Sequence, residues 1–150
     1  MKLALASDHA GYALKHHLVN YLESRGLDVF DLGVFTADQP SDYPDAAALI
    51  AAAILEERAE RGILVCGSGV GVSIAANKFT GIYAGICHDT YSAHQGVEHD
   101  NMNVLVLGAR VIGTAVAEEL ARAFIGAKFS EEERHRRRFG KIQQIEEDRQ

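Results

Sequence analysis

Short apolar segments alternate with helix-like patterns along the whole chain of 150 residues. In the first helix-like stretch, Leu14, Leu18 and Leu22 recur every four residues, which places them on one face. Strands are predicted at residues 2–6, 28–32, 62–66, 81–87 and 104–107. Helices are predicted at residues 12–25 and 44–60, from 70 to 77, after residue 89, from about 114, and at about 131–147. This alternation indicates βαβ units, and therefore a parallel sheet with helices on both faces.

Capping residues support several of these boundaries. Gly26 follows the end of the first helix, and Pro44 with Asp45 suits the first turn of the second. Asp89 is the predicted N-cap of the fourth helix, and residues 130–133 (SEEE) form a capping box before the last one. The second helix is apolar nearly all round, so we expect it to be well buried.

Composition narrows the class of protein. The chain is 47% hydrophobic and 24% charged, and its net charge of −6 argues against bulk electrostatic binding to nucleic acid or to an anionic membrane. It has neither a membrane-spanning apolar run nor a signal-peptide pattern, and its two cysteines make no disulfide framework. Without metal-ligand spacings of Cys and His, no metal or cofactor is predicted. We expect one cytoplasmic domain over residues 1–150.

Chemistry-bearing residues follow four of the five predicted strands. In an open parallel sheet, ligands bind beyond the carboxyl ends of the strands, so these residues are candidates for one site. They are Asp8 and His9 after the first strand, Cys66 and Ser68 after the third, Cys87, His88 and Asp89 after the fourth, and Arg110 after the fifth. One edge of the sheet therefore gathers acids, bases, a nucleophile and a cation.

The loop at residues 67–71 (GSGVG) suits an anion, because glycines expose backbone N–H groups and a helix follows. That anion could be a phosphate or a transient enolate oxygen, and a tight turn without ligand is the alternative. The chain has no Gly-Lys pair for a P-loop, and Val72 stands where a cysteine phosphatase has arginine. Val72 also replaces the third glycine of a dinucleotide loop, but Asp89 lies at a plausible distance for a ribose-binding acid, so that alternative stays open. The GxSxG nucleophile elbow of α/β-hydrolases is absent too, because Cys66 occupies the position of its first glycine.

The sequence alone allows several interpretations of Cys66. N–H donors and a helix N-terminus favour a thiolate, which could act as a base toward a carbon-bound proton next to a carbonyl. A lone cysteine at a strand end is equally explained as a small core residue, and that interpretation is kept for Cys87.

Two further candidates lie outside this edge. His99 precedes the fifth strand, at the opposite edge of its own sheet from Cys66, so its simplest functional place is the site of a neighbouring subunit. Arg134 and Arg138 are one turn apart on the last helix and suit a phosphate dianion. The alternatives are a surface histidine and a solvated basic face.

Five segments of the chain together carry the motifs of one enzyme family. They are SDHAGYALK, SDYPD, GILVCGSGVGVSIAANK, EHDNMNVLVLGARVIG and RHRRRFGKI, at residues 7–15, 41–45, 62–78, 98–113 and 134–142. In them the chain resembles the ribose-5-phosphate isomerase type B family, which includes the galactose-6-phosphate isomerase subunits. The resemblance implies a Rossmann-like three-layer α/β/α sandwich with a five-stranded parallel sheet. It also implies a homodimer with shared active sites, and an aldose–ketose isomerase that needs no metal.

The resemblance also implies roles by matched position. Cys66 would move the proton between C1 and C2 of the sugar, Ser68 would assist transfer between O1 and O2, and His99 with Asp8 would open the furanose ring. Backbone N–H groups of the 67–71 loop would hold the enediolate oxygen. The implied substrate contacts are His9, Tyr43, Gly67, Gly69, Val70, Gly71, Arg110, Arg134 and Arg138.

Two departures from the family's pattern concern the substrate. Asp100 stands where the family usually has asparagine, and we expect it to bind the substrate, either by contacting a sugar hydroxyl or by favouring a different sugar. Glu132-Glu133 replaces a common Gly-Gly, which we expect to lengthen the last helix and shift Arg134. The expected substrate is ribose 5-phosphate, with another aldose phosphate (tetrose 4-phosphate, allose 6-phosphate or galactose 6-phosphate) as the alternative because of Asp100. A catalytically silent sensor and one half of a heteromeric isomerase also stay open, as does the pairing of dimers into a tetramer.

Overall fold

A computed structural model describes residues 1–148. In this part of the chain the strands are β1 (Lys2–Ser7), β2 (Asp28–Asp31), β3 (Arg61–Cys66), β4 (Ala84–Ile86) and β5 (Val104–Gly108). The helices are α1 (Tyr12–Ser24), α2 (Tyr43–Leu55), α3 (Val70–Ala76), α4 (Thr90–Asp100), α5 (Thr114–Gly126) and α6 (Glu133–Glu147). No helix in residues 1–148 is both long and apolar enough to span a membrane.

The strands form one parallel sheet in the order β2-β1-β3-β5-β4. Ser7 of β1 lies beside Val65 of β3, and Cys66 lies beside Gly108 of β5. The three central strands therefore end side by side, so the residues that follow them meet at the carboxyl edge of the sheet.

Alternate side chains of each central strand enter two different cores. Leu3 and Leu5 pack with α1, α4 and α5, whereas Ala4 and Ala6 pack with α2 and α3. Because both faces are covered, consecutive strand residues are apolar, which is the pattern expected of a buried parallel sheet. The predicted three-layer α/β/α sandwich with a five-stranded parallel sheet is confirmed.

Two predicted helices differ from the structure. The helix expected at residues 44–60 ends at Leu55, because Glu57 has a left-handed φ of 58° that cannot continue it. Its outer face is exposed, including Leu49 at 44% and Leu55 at 53%, so the expectation that this helix is well buried holds only for its inner face.

The last helix begins at Glu133 instead of about residue 131, and the predicted capping box does not form. Glu131 has a left-handed φ of 55°, which interrupts the helical path just before the first turn. The hydroxyl of Ser130 lies 2.5 Å from Nδ1 of His135 instead of capping the helix. Glu133 is thus the first residue of the helix and Glu132 its N-cap, and the expected shift of Arg134 stays a prediction.

Candidate active site

A cavity of about 340 Å³ lies at the carboxyl edge of the sheet. Its wall comes from the ends of β1, β3 and β5, which the strand order places next to one another. The lining residues are Asp8, His9, Ala10, Cys66, Gly67, Ser68, Arg110 and Val111. The structure thus brings together an acid, a histidine, a thiol, a hydroxyl and a guanidinium that follow three different strands.

Asp8 is held in a fixed orientation at the base of this cavity. Its carboxylate accepts a hydrogen bond of 2.9 Å from the backbone N–H of Gly11, and the residue is 7% exposed. A side chain at Gly11 would meet the carbonyl oxygen of Val65 at 2.3 Å, so only glycine permits this turn to approach β3. The turn therefore carries Asp8 to the end of the strand that bears Cys66.

His9 is oriented by Ser41, a residue of the matched SDYPD segment to which the sequence assigned no role. The backbone N–H of Ser41 donates to Nδ1 of His9 at 3.1 Å, while the hydroxyl of Ser41 accepts from the backbone N–H of His9 at 2.8 Å. Nδ1 of His9 also lies 3.3 Å from the carbonyl oxygen of Ser41. Ser41 therefore fixes the ring of His9 through its Nδ1 side.

Cys66 is 7% exposed and stands where β3 turns into the glycine loop. Gly69 has φ +87°, a conformation that glycine adopts without strain, and it lets the chain turn directly into α3. The hydroxyl of Ser68 accepts from the backbone N–H of Val70 at 3.2 Å. The N–H groups of a first helical turn have no partner within their helix, so the loop can bind a developing oxyanion beside the thiol.

Arg110 and Tyr43 border the glycine loop on two sides. The Arg110 guanidinium lies over Gly67, where an added Cβ would be 3.5 Å from one of its nitrogens, and the backbone N–H of Arg110 donates to the carbonyl of Gly67 at 3.0 Å. The ring of Tyr43 packs against Gly71, where an added Cβ would meet it at 2.7 Å. A cation and an aromatic ring therefore stand beside the loop, although Tyr43 does not line the cavity itself.

The other candidate residues form a second cluster, at the opposite edge of the sheet. His99 lies in the last turn of α4, just before β5, whose first residue Val104 pairs with Gly62 near the start of β3. Cys66 is four residues further along β3, a distance of about 13 Å for an extended strand. Within one chain, His99 is therefore not part of the Cys66 cavity.

His99 is flanked by Gln95, His135 and Glu98. Its ring stacks on that of His135, with centroids 4.1 Å apart and planes inclined by 24°. Nδ1 of His99 lies 3.0 Å from Nε2 of Gln95, and its Nε2 lies 3.6 Å from Oε2 of Glu98. No role was assigned to Gln95 or His135 from the sequence, although Gln95 stands one helical turn before His99.

α6 brings positive charge to this second cluster. Arg134 and Arg138 flank His135, which is 1% exposed, on the same helix. Burial lowers the pKa of His135, and the neighbouring His99 ring and the guanidinium groups of Arg134 and Arg138 lower it further. Arg134 is itself exposed and bound to Glu132 at 3.0 Å, so an incoming anion has to compete with that carboxylate.

Asp100 is the last residue of α4, directly after His99. It lines an apolar groove of about 360 Å³ together with Tyr83, Met102 and Ile142, and its carboxylate accepts from Nε2 of Gln95 at 3.2 Å. Within residues 1–148, no group of three or more His, Cys, Asp or Glu side chains is arranged to hold a metal ion.

The candidate residues therefore lie in two separate groups, which are called the carboxyl-edge half and the amino-edge half. The carboxyl-edge half, defined by Asp8, His9, Cys66, Ser68 and Arg110, can remove a carbon-bound proton and stabilise the resulting oxyanion. The amino-edge half, defined by His99, Arg134 and Arg138, can donate hydrogen bonds and bind an anion. Neither half contains both the Cys66 groups that can remove a proton and the His99 and arginine groups of the amino edge.

Comparison with known proteins agrees with this geometry. The profile of the Ribose/Galactose Isomerase family matches residues 3–142. Ribose-5-phosphate isomerase B of Escherichia coli is 43% identical over 148 residues, which cover 99% of this chain and 98% of that protein. D-erythrulose-4-phosphate isomerase of Pectobacterium atrosepticum is 42% identical over 129 residues, covering 86% and 85%.

The solved structure of ribose-5-phosphate isomerase B from Clostridium thermocellum superposes with a TM-score of 0.96 at 40% identity, covering 100% of both chains. The predicted family is confirmed by a match that extends over nearly the whole sequence and the whole fold. The chain therefore belongs to the ribose/galactose isomerase family of aldose–ketose isomerases.

Proposed function

We propose that this chain interconverts ribose 5-phosphate and ribulose 5-phosphate, with Cys66 as the base that moves the carbon-bound proton. The observation that carries the proposal is the placement of the Cys66 thiol beside Ser68 and the glycine loop, in a cavity that also holds Asp8, His9 and Arg110. Both cysteines are free thiols, which fits a reducing compartment, and we place the reaction in the cytoplasm.

The isomerisation proceeds through a cis-enediolate. The Cys66 thiolate takes the proton from C2 of the open-chain aldose, and the carbonyl oxygen O1 becomes an oxyanion held by N–H groups of the loop. Ser68 relays the proton of O2 to O1. The Cys66 thiol then returns its proton to C1, which leaves a carbonyl at C2 and regenerates the thiolate. The sugar gains and loses one proton at carbon, so atoms and charge balance.

Cations in both halves position the substrate for this step. His9 and Arg110 border the cavity, and Arg134 with Arg138 supplies a second basic group at the amino edge. A phosphate bound at a distance from the reacting carbons orients them without taking part in the chemistry. A phosphorylated sugar fits this arrangement better than a neutral one.

Residues that open a sugar ring favour a substrate that can form such a ring. Ribose 5-phosphate closes a furanose through O4, whereas O4 of a tetrose 4-phosphate is esterified and cannot close one. His99 and Asp8, assigned to ring opening by the family resemblance, therefore favour a pentose phosphate. The related D-erythrulose-4-phosphate isomerase and the departure at Asp100 keep a tetrose phosphate as the second candidate.

We also propose that the functional unit is a homodimer in which each site joins the carboxyl-edge half of one chain to the amino-edge half of the other. The support is that the Cys66 and His99 groups lie at opposite edges of one sheet. In a two-fold symmetric dimer, the carboxyl-edge half of each chain would meet the amino-edge half of the other, so one interface would complete two sites.

The test is an assay of the purified chain alone with tetrose, pentose and hexose phosphates. Ribose 5-phosphate is expected to be the best substrate, and Cys66→Ala to lower its kcat by about 10²–10⁴-fold, the usual contribution of a general base. Calorimetry with a non-isomerisable pentitol phosphate should show unchanged binding to that variant. Cys87→Ala is the matched control, because Cys87 lies in the core on the other face of the sheet.

Other results would point elsewhere. A wild-type chain that binds sugar phosphates but turns over none of them would indicate a sensor. Activity that appears only with a second, different subunit would indicate a heteromeric enzyme. A higher kcat/KM for a tetrose phosphate than for ribose 5-phosphate would replace the proposed substrate and leave the reaction class in place.

A further inference from the structure

One amide group serves two acceptors at the end of α4. Nε2 of Gln95 lies 3.0 Å from Nδ1 of His99 and 3.2 Å from Oδ2 of Asp100. Gln95 is one helical turn before both, so the helix itself brings the three side chains together.

The direction of these hydrogen bonds follows from the donor inventory. An ionised Asp100 carboxylate can only accept, so the NH₂ end of the Gln95 amide must face it. The same nitrogen directs its other hydrogen at Nδ1 of His99, and an amide nitrogen cannot accept a hydrogen bond. Nδ1 of His99 is therefore the acceptor, and the neutral ring carries its proton on Nε2.

The rest of the surroundings hold the His99 ring without reversing this choice. One face is covered by the buried ring of His135, whose Nδ1 is bound to the hydroxyl of Ser130. The backbone N–H of Ser130 donates to the carbonyl of Glu98 at 3.0 Å, which ties this support back to α4. The carboxylate of Glu98, 3.6 Å from Nε2, also favours a proton on that nitrogen.

We propose that Gln95 is a positioning residue that keeps His99 as the Nε2–H tautomer, so that His99 acts in ring opening as a neutral hydrogen-bond donor. The proposal rests on the proposed function. As the C1–O4 bond of the furanose breaks, negative charge develops on the ring oxygen, and the Nε2–H group stabilises it. The proton of O1 passes to the Asp8 carboxylate and from there to O4, so His99 returns unchanged.

The same contact gives Asp100 a role that needs no contact with the sugar. Its carboxylate holds one hydrogen of the Gln95 amide and thereby directs the other at His99. In the described structure Asp100 lines the apolar groove beside Met102 and not the Cys66 cavity. The negative charge of Asp100 therefore affects His99 indirectly, by orienting the Gln95 amide.

The test is the isosteric substitution Gln95→Glu, which replaces the NH₂ donor by an acceptor. At about pH 8.5, where imidazole is neutral, His99 is expected to change to the Nδ1–H tautomer, because the new carboxylate accepts from Nδ1. Nitrogen-15 NMR of the imidazole distinguishes the two tautomers directly. With the Nε2 donor lost, kcat/KM for ribose 5-phosphate is expected to fall by about tenfold or more.

The loss should recover as the pH falls, because a protonated His99 again carries a proton on Nε2. Glu98 and His135 contact the His99 ring, and Asp100 shares its Gln95 donor. His94 shares the Glu98 carboxylate, and Arg134 and Arg138 act on His135. Gln95→Glu leaves all of these groups in place. A purely structural role for Gln95 predicts no such pH-dependent recovery.

Gln144→Glu is the matched control, because the amide of Gln144 donates to the Asp148 carboxylate at 3.1 Å on α6. It introduces the same repulsion between carboxylates and is expected to leave kcat/KM unchanged. Should Gln95→Glu unfold, Gln95→Glu combined with Asp100→Asn removes that repulsion and keeps the tautomer readout.

Three results would overturn the proposal. These are an Nδ1-protonated neutral His99 in the wild-type chain, an unchanged tautomer in Gln95→Glu, or a reversed tautomer with unchanged kcat/KM. Failure of the proposed function is distinguishable, because a wild-type chain without any isomerase activity would still show the tautomer by NMR.

Discussion

The two cysteines of this chain differ in their surroundings more than in their burial. Cys66 is 7% exposed and Cys87 is 5% exposed, but Cys66 lines the polar cavity and Cys87 packs in the apolar core on the other face of the sheet. Burial, reinforced by the charge of Asp89, raises the pKa of the Cys87 thiol to about 11. Of the two thiols, the one at the cavity is the candidate base.

Selective alkylation follows from this difference. At about pH 7.5 less than about one Cys87 thiol in a thousand is ionised, and the thiolate is the reactive form. Iodoacetamide is therefore expected to modify Cys66 and leave Cys87 unmodified, and ribose 5-phosphate is expected to slow the modification. Peptide mass spectrometry measures both. Equal labelling of the two cysteines in the native protein would contradict this prediction.

For individual residues, the sequence identified the reacting residue types but not the residues that orient them. Ser41 and Gln95 direct His9 and His99, respectively, through hydrogen bonds to Nδ1. Ser41 is 32 residues from its partner, so no local spacing relates the two. Gln95 is one turn from His99, and that spacing is a signal that could have suggested the contact.

Among the elements, the β3–α3 connection depends on close packing against the end of β5. A Cβ at Gly108 would lie 2.6 Å from the carbonyl oxygen of Ser68, and the backbone N–H of Ala109 donates to the carbonyl of Cys66 at 2.8 Å. The end of β5 thus holds the glycine loop in place from the side.

Gly108→Ala is expected to displace the glycine loop, because the new methyl group collides with backbone that cannot rotate away. We expect a loss of about 1–3 kcal/mol in the free energy of unfolding, typical of overpacking, together with a loss of kcat that exceeds the change in KM. Denaturant unfolding and steady-state kinetics measure the two. Gly113→Ala, which meets nothing within 4 Å, is the control, and equal behaviour of the two variants would contradict the argument.

Element boundaries followed sequence signals where those signals are local. Asp89 caps α4 as predicted, with its carboxylate accepting from the backbone N–H of Ser92 at 2.7 Å. The capping box at Ser130 does not form, and its hydroxyl lies instead beside Nδ1 of His135, five residues further along the chain. A side chain with two competing hydrogen-bond partners is beyond what a sequence pattern can resolve.

In the whole molecule, each chain carries two unlike halves at opposite edges of one sheet. If sites form between chains, a variant defective in the carboxyl-edge half and another defective in the amino-edge half should complement each other. A mixed dimer then has one site with both defects and one site with none.

Subunit mixing tests this directly. Cys66→Ala and His99→Asn, each inactive alone, are expected to recover about one quarter of wild-type activity after joint unfolding and refolding at equal amounts. Half of the dimers are then mixed, and each has one intact site. No recovery, with dimers confirmed by light scattering, would show that each chain completes its own site.

The sequence by itself determined the layered α/β class, the consecutive apolar positions of the central strands and the family, because these depend on local periodicity and on contiguous motifs. The tertiary structure decided which residues meet. It placed Cys66 with Asp8 and Arg110, put His99 at the other edge, and set the amide of Gln95 between His99 and Asp100. The physical reason is that strand order and hydrogen-bond direction are properties of the packed chain, which residue spacing alone does not specify.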